Sequence, residues 1–143
     1  MGENITRVRV VLDTNVLVSA LLFGGRIGIL RDWWKSGRII PLISRETFAE
    51  FRKVLSYPKF KLSQGEIRAI LNDEILPFVE PLDITKQVTG VCRDAHDDIF
   101  LSVAVCGGAS HLITGDQDLL VLKHYGETSI VTVAEFCSFV YGN

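Results

Sequence analysis

The chain has 143 residues and a mass of 15.9 kDa, which fits one domain and excludes a second full one. Hydrophobic residues make up 48% of the sequence and charged residues 22%, which excludes a disordered or low-complexity protein. The net charge is −2 but unevenly spread, because residues 1–68 hold twelve basic and six acidic residues and residues 69–143 hold three and eleven.

The first half of the chain alternates strand and helix patterns. The β-branched run that ends at Asp13 predicts a buried strand at the centre of a sheet. Thr14 and Asn15 are expected to cap the next helix, and Ser44 to cap a helix that stops before Pro58. The predicted strands are 7–13 and 38–43, and the predicted helices are 14–22, 27–35 and 45–57.

Capping patterns mark helix starts in the second half. Capping boxes at 63–66 and 132–135 predict two helices, the first running towards Leu76. Asp94 is expected to cap a helix over 95–106 that ends at Gly107 and Gly108. The other predicted elements are a strand or extended link at 79–84, strands at 111–114 and 129–131, and a helix at 117–123. This alternation predicts an α/β fold over residues 1–143, a single domain whose mainly parallel sheet is covered on both faces.

The sequence predicts neither a membrane protein nor a disulfide framework. The longest apolar run, 16–23, is interrupted by Ser19 and is far shorter than the roughly 20 residues that cross a bilayer. An acid precedes any basic cluster at the N-terminus, so we expect no signal peptide and a cytoplasmic location. Cys92, Cys106 and Cys137 form no CxxC pair, and we expect buried free thiols.

Acidic residues follow several of the predicted strands. Ligands of parallel sheets bind beyond the carboxyl ends of the strands, where helices also begin. The acids expected at this edge are Asp13, Asp94, Asp97, Asp98, Asp116 and Asp118. Asp97 lies on the apolar side of its helix, and Glu50 lies on the shoulder of an apolar helix face, which predicts a half-buried carboxylate.

Structural roles are the alternative for most of these acids. Asp94 and Asp118 also suit helix caps, and Asp97 with Asp98 would favour the positive end of a helix without further function. Glu50 could pair at the surface with Arg52 or Lys53. A charge at Asp13, directly after a buried strand, is harder to explain without a function, because an unpaired buried carboxylate is costly.

Converging carboxylates favour a bound cation. Their mutual repulsion raises their pKa values unless a cation lies between them. Ligation by oxygen alone selects Mg²⁺ or Mn²⁺, and no pair of histidines has the spacing of a zinc site. The chemistry expected of such a site is transfer of a phosphoryl group to water.

Four segments of the chain, taken in order, resemble the PIN domain. Among PIN domains, the resemblance is to the VapC-like toxin ribonucleases of prokaryotic toxin–antitoxin systems. It rests on four segments: 11–20 (VLDTNVLVSA), 48–55 (FAEFRKVL), 93–101 (RDAHDDIFL) and 114–120 (TGDQDLL). The resemblance covers roughly residues 8–135, and it implies a three-layer α/β/α sandwich and a metal-dependent endoribonuclease.

The resemblance also implies a set of site residues. Its acidic quartet falls on Asp13, Glu50, Asp97 and Asp116. Asp13, Asp97 and Asp116, together with Asp118, would hold Mg²⁺ or Mn²⁺, while Glu50 would hold or orient the attacking water. The supporting polar residues would be Asn15, Thr114, Asp94 and Asp98.

Partners implied by the resemblance are RNA, a cognate antitoxin and a second copy of the chain. Without the seven candidate site acids, fifteen basic residues would face ten acidic ones, a balance that suits a phosphate backbone. The expected RNA-binding residues are Arg45, Arg52 and Lys53, from a wider set of Arg26, Arg31, Lys35, Lys59 and Lys61. Exposed Trp34, Tyr57 or Phe60 would suit a protein partner.

Two other functions remain open on the residues alone. The first is a non-catalytic module of the same fold that binds nucleic acid or protein. The second is a receiver-like or phosphatase domain with Asp13 as phospho-acceptor. The second is weaker, because Asp13 is followed by Thr14 and Asn15 where a haloacid-type phosphatase needs Asp-x-Asp, and no lysine closes the later strands.

Overall fold

A computed structural model describes residues 7–141 of the chain. The strands are β1 (Val8–Leu12), β2 (Ile39–Ser44), β3 (Glu80–Leu82), β4 (His111–Ile113), β5 (His124–Tyr125) and β6 (Thr128–Val131). The helices are α1 (Thr14–Leu22), α2 (Ile29–Lys35), α3 (Arg45–Leu55), α4 (Gln64–Ile70), α5 (Asp98–Gly107), α6 (Gln117–Leu120) and α7 (Val133–Tyr141). Helix α4 continues into a π-helical turn at Leu71–Ile75, and 3₁₀ turns form at Pro58–Phe60 and Ala95–Asp97.

The strands form one sheet in the order β3-β2-β1-β4-β6-β5. All pairings are parallel except that of β5 with β6. Strand β1 pairs with β2 on one side and β4 on the other, which confirms its predicted central position. Leu12 is in register with Ile113, so the residues that follow these two strands lie side by side at one edge of the sheet.

Apolar side chains pack against both faces of the sheet. One core is built around Trp34, Phe51, Leu55 and Phe136, from helices α2, α3 and α7. The other contains Leu101 and Leu119 from α5 and α6, with Leu112 of the sheet. Two cores separated by the sheet confirm the predicted three-layer α/β/α sandwich.

Most predicted elements are confirmed, with differences at their ends. Helix α1 is capped by Asp13, whose carboxylate accepts from the Val16 N–H, and not by Thr14 or Asn15. The helix predicted from Ala95 begins as a 3₁₀ turn, and α5 starts only at Asp98, because Asp94 caps the turn by accepting from the His96 N–H.

The two adjacent tryptophans are both buried, so the expectation of an exposed Trp34 is wrong. Trp34 is 1% exposed and its indole N–H donates to the Glu74 carbonyl at 3.0 Å. Trp33 makes edge contacts with the rings of Phe136 and Tyr141. Helix α2 therefore has neighbours on two sides, which the helical period alone does not reveal.

Within the described residues, no helix is long and apolar enough to span a membrane. All three cysteines are free thiols; Cys92 and Cys137 are buried as expected, whereas Cys106 is partly exposed.

Gly107 closes α5 where the helix meets the sheet, and its carbonyl accepts from Arg9 Nε at 2.8 Å. A Cβ there would overlap Leu42 Cδ1 and lie 2.7 Å from Leu82 Cδ2. We expect Gly107→Ala to lower the free energy of unfolding, because overpacking costs about 1–3 kcal/mol and alanine's helix propensity returns at most about 1 kcal/mol.

Chemical denaturation of the wild type, Gly107→Ala and Gly24→Ala checks this. A Cβ at Gly24 meets no atom within 4 Å, so this control should match the wild type. A Gly107→Ala protein as stable as the control would show that the contact of α5 with β2 and β3 is loosely packed.

Candidate metal and active site

Three carboxylates converge at the edge of the sheet where β1 and β4 end. Asp97 closes the 3₁₀ turn before α5, Asp116 caps α6, and Asp118 lies in the first turn of α6. Each offers an oxygen atom, and these atoms lie within 4.8 Å of one another. We call Asp97, Asp116 and Asp118 the acidic trio.

Asp97 is the buried member of the acidic trio. It is 7% exposed, and its Oδ2 atom is buried without a hydrogen-bond partner among the described residues. Burial and the adjacent Asp116, with a further contribution from Asp94, raise the pKa of Asp97 to about 7. An unsatisfied buried carboxylate oxygen is costly, and a cation among the acids would remove the cost. The acidic trio therefore fits a hard divalent cation such as Mg²⁺ or Mn²⁺.

Asp13 lies beside the acidic trio and is joined to it by Thr114. The Thr114 hydroxyl donates to Asp13 Oδ2 and accepts from the Asp116 N–H at 2.9 Å. Asp13 Oδ1 accepts from the Val16 N–H at 2.8 Å. Burial raises the pKa of Asp13, the charges of Asp116 and Glu50 raise it further, and the two hydrogen bonds oppose the shift. Asp13 thus has a structural role as the cap of α1 as well as a place at the site.

Glu50 reaches the same region from α3, on the other side of β1. Its Oε2 atom accepts from the Thr14 hydroxyl at 3.0 Å, and its Oε1 atom lies 2.7 Å from His96 Nε2. The Glu50 side chain is 25% exposed, in agreement with the predicted half burial, whereas that of His96 is 66% exposed. Thr14 and His96 thus fix the direction of the Glu50 carboxylate.

Sequence reasoning missed these two partners of Glu50. The sequence predicts Thr14 only as a helix cap, and it assigns His96 no role beyond the absence of a histidine pair with zinc-site spacing. Their positions directly after Asp13 and directly before Asp97 were the available signal. That signal does not predict the contacts themselves, because Glu50 lies 36 positions from Thr14 and 46 positions from His96 in the chain.

The predicted supporting acids have different roles. The Asp98 carboxylate accepts from the N–H groups of Gly90 at 2.9 Å and Cys92 at 2.8 Å. Burial would raise the pKa of Asp98, but the hydrogen bonds from Cys92 and Gly90 lower it below its usual value. Asp98 therefore anchors the segment before α5, and its predicted supporting role is that of an anchor for this segment. Asp94 is exposed and contributes charge near Asp97.

The basic residues predicted to bind RNA all lie on α3, and one further basic residue lies near the acidic trio. Arg45, Arg52 and Lys53 are all exposed on α3. Lys53 lies one turn from Glu50 on the same helix face, but Arg52 lies on the opposite side, in a groove against α4. Arg93, absent from the predicted set, places its Nε atom 3.6 Å from Asp118 Oδ1 while its side chain stays 89% exposed.

A family model described as PIN domain matches residues 9–118, a span that contains all the acids of the site. The chain belongs to the PIN domain family. An uncharacterized protein of Methanocaldococcus jannaschii is 31% identical to this PIN domain over 127 residues, which cover 82% of this chain and 76% of the relative.

Two solved structures share the fold of this PIN domain. VapBC2 from Rickettsia felis, bound to a DNA fragment from its promoter, matches with a TM-score of 0.56 and 18% identity over 87% of this chain and 98% of the other. FitAcB from Neisseria gonorrhoeae matches with a TM-score of 0.59 and 17% identity over the same shares, 87% and 98%. At these identities the likeness is one of fold.

The orphaned oxygen of Asp97 predicts how metal binding changes stability. In EDTA, we expect Asp97→Asn to melt at or above the wild-type temperature, because the substitution removes a buried charge repelled by Asp116. Adding Mn²⁺ at tenfold its dissociation constant should stabilise the wild type by about 1.4 kcal/mol and should leave Asp97→Asn unchanged. Differential scanning calorimetry measures both effects.

Asp32→Asn, an exposed substitution on α2, is the matched control and should respond to Mn²⁺ like the wild type. An equal Mn²⁺ response in Asp97→Asn would contradict the assignment of the acidic trio as the metal site.

Proposed function

We propose that this PIN domain is an Mg²⁺- or Mn²⁺-dependent endoribonuclease that hydrolyses phosphodiester bonds of RNA. The observation that carries the proposal is the buried, unpartnered Oδ2 of Asp97 within the acidic trio. A buried polar atom without a hydrogen-bond partner destabilises the folded protein unless a cation or a proton lies against it. Membership of the PIN domain family and the likeness of the fold to VapBC2 support the nuclease assignment.

Asp97, Asp116 and Asp118 would hold the metal ion, with Asp13 adjacent through Thr114. When bound, the ion supplies Lewis-acid stabilisation of the charge that develops on the phosphate oxygens. Thr114 ties the Asp13 carboxylate to the backbone of Asp116, so these residues would be arranged before the substrate arrives. This preorganisation saves the cost of ordering charged side chains during the reaction.

Glu50 would orient the attacking water and accept its proton. Both of its oxygen atoms have a neighbour, Thr14 at 3.0 Å and His96 at 2.7 Å, so the carboxylate cannot rotate freely. Each oxygen keeps a second lone pair that can accept from water. Thr14 and His96 are positioning residues in this scheme, because they act through Glu50 and not on the substrate.

The toxin role, the antitoxin and the homodimer are part of the same proposal. VapBC2 and FitAcB share the fold, and the VapC-like resemblance of the four acidic segments supports a toxin of a toxin–antitoxin system. A cognate antitoxin would then cover the site, and two copies of the chain would associate. RNA is the proposed substrate, because VapC-like toxins are ribonucleases.

Cleavage of a pool of tRNA, rRNA and synthetic single-stranded RNA by the purified protein tests the nuclease assignment. Cutting should require Mn²⁺ or Mg²⁺, stop in EDTA, and fall by at least about 100-fold in Asp97→Asn and Asp116→Asn, since each removes a ligand of the charge-stabilising ion. Asp32→Asn should cut at the wild-type rate.

Persistent cutting in both variants would contradict the proposal, because it would place the chemistry elsewhere or in a contaminant. Mn²⁺ binding without cleavage of any RNA in the pool would favour the non-catalytic binding module.

Removal of the His96 contact should slow cleavage without weakening metal binding. We expect His96→Ala to lower kcat about 10-fold, because Glu50 loses a partner that orients it, with the Mn²⁺ dissociation constant from calorimetry unchanged. His96→Gln, whose amide can still donate to Glu50, should recover part of the loss. If both His96→Ala and His96→Gln lowered kcat, Mn²⁺ affinity and melting temperature to the same extent, the role of His96 would be structural only.

A further inference from the structure

A groove runs along α1 beside the acidic site. Its open volume is about 670 Å³. The 3₁₀ turn at Pro58–Phe60 contributes Lys59 and Phe60. Helix α1 and the residue that follows it contribute the rest of the lining: Asn15, Val18, Ser19, Leu22 and Phe23. We call this feature the α1 groove. None of the described residues that line it carries a carboxylate.

The α1 groove adjoins the acidic site at the start of α1. Asn15 directly follows Thr14, whose hydroxyl donates to Glu50. Asn15 and Ser19 are four residues apart and share one face of α1. From Asn15 to Phe23 the helix rises about 1.5 Å per residue, or about 12 Å in all. A nucleic acid strand bound at the acidic site could therefore continue along this face of α1.

The two aromatic residues of the α1 groove offer ring surface to a ligand. Phe23 is 55% exposed, a large fraction for an apolar ring. Phe60 packs partly against the core, so its ring is held in place while one part of it faces the groove. Fixed aromatic faces near a phosphodiester site suit an unpaired base, because stacking accepts any base.

Polar groups surround these rings. Lys59 Nζ lies 5.1 Å from the centroid of the Phe60 ring, where it can move on its flexible stem to a phosphate once a base covers the ring. The Asn15 amide and the Ser19 hydroxyl can both donate and accept, which suits the edge of a base. Lys59 is the only charged residue among the described residues that line the groove, so its charge suits a phosphate.

We propose that the α1 groove is a subsite for an unpaired nucleobase of single-stranded RNA, stacked on Phe60, with its neighbouring phosphate on Lys59. The proposal rests on the ribonuclease function proposed above. It specifies that function further, because cleavage would then occur beside an unpaired nucleotide.

Binding of a short single-stranded RNA that contains 2-aminopurine tests the subsite directly. The wild-type protein in EDTA should bind the RNA and quench the fluorescence of 2-aminopurine without cutting. Phe60→Leu keeps an apolar side chain against the core but removes the ring, so affinity should fall about 5- to 100-fold and the quench should be lost. Phe60→Tyr should keep both, and Tyr141→Leu, an exposed aromatic on α7, should change neither.

Lys59→Gln separates the phosphate contact from the stacking contact. It should leave the quench in place and reduce the salt dependence of binding by about 0.7 in the log–log slope, the value for one phosphate of a single strand. In Mn²⁺, Phe60→Leu should raise KM for RNA cleavage while the Mn²⁺ affinity is unchanged.

The outcomes distinguish this proposal from the proposed function. If the wild type neither binds nor cuts RNA, the ribonuclease function fails and the subsite fails with it. If the wild type cuts RNA but Phe60→Leu has the wild-type affinity, quench and KM, the subsite alone is wrong, and the α1 groove is left for a protein segment.

Discussion

The Thr114 hydroxyl, shared between Asp13 and Asp116, is the contact on which the site depends. It exists because β1 and β4 are parallel neighbours with Leu12 in register with Ile113, so that both strands end at the same level. One hydroxyl can donate to one carboxylate and accept from the backbone of the next segment, and in doing so it fixes both. Asp116 Oδ1 then accepts from the Asp118 N–H at 2.9 Å, which brings the start of α6 into the same arrangement. A chain of three short contacts thus runs from the central strand to the outer part of the acidic trio.

This arrangement places several carboxylates close together in a partly buried region, where their charges lower the stability of the fold. The raised pKa values of Asp13 and Asp97 show that burial and neighbouring acids both oppose ionisation there. The rest of the structure compensates through ordinary packing: two apolar cores enclose the sheet, and Asp98 ties the segment at 90–92 to the start of α5. Stability is therefore supplied outside the site, and the acidic trio is left for a cation, as expected of a functional site.

The sequence predicts the fold well because its signals are local. The β-branched run before Asp13, the capping boxes at Ser63 and Thr132, and Gly108 after α5 each follow from neighbours within a few residues. The convergence of the acidic segments is also predictable, since parallel strands share one edge. The contacts of His96 and Thr14 with Glu50, the burial of Trp34 and the hydrogen bonds of Asp98 with Gly90 and Cys92 were not predictable. Each of these contacts joins a side chain to an element distant in the chain. Helical periodicity predicts the direction in which a side chain points, but it does not predict which element lies there.

The central claim is that the unpartnered oxygen of Asp97 is a ligand of a divalent cation. Anomalous X-ray diffraction from crystals of the wild-type protein soaked in Mn²⁺ tests it most directly. The account predicts an anomalous peak among the carboxylates of Asp97, Asp116 and Asp118, about 2.0–2.3 Å from Asp97 Oδ2, as for a hard cation bound by oxygen. Saturating Mn²⁺ with no peak there, and Asp97 Oδ2 hydrogen-bonded to Asp116 or to water instead, would contradict it.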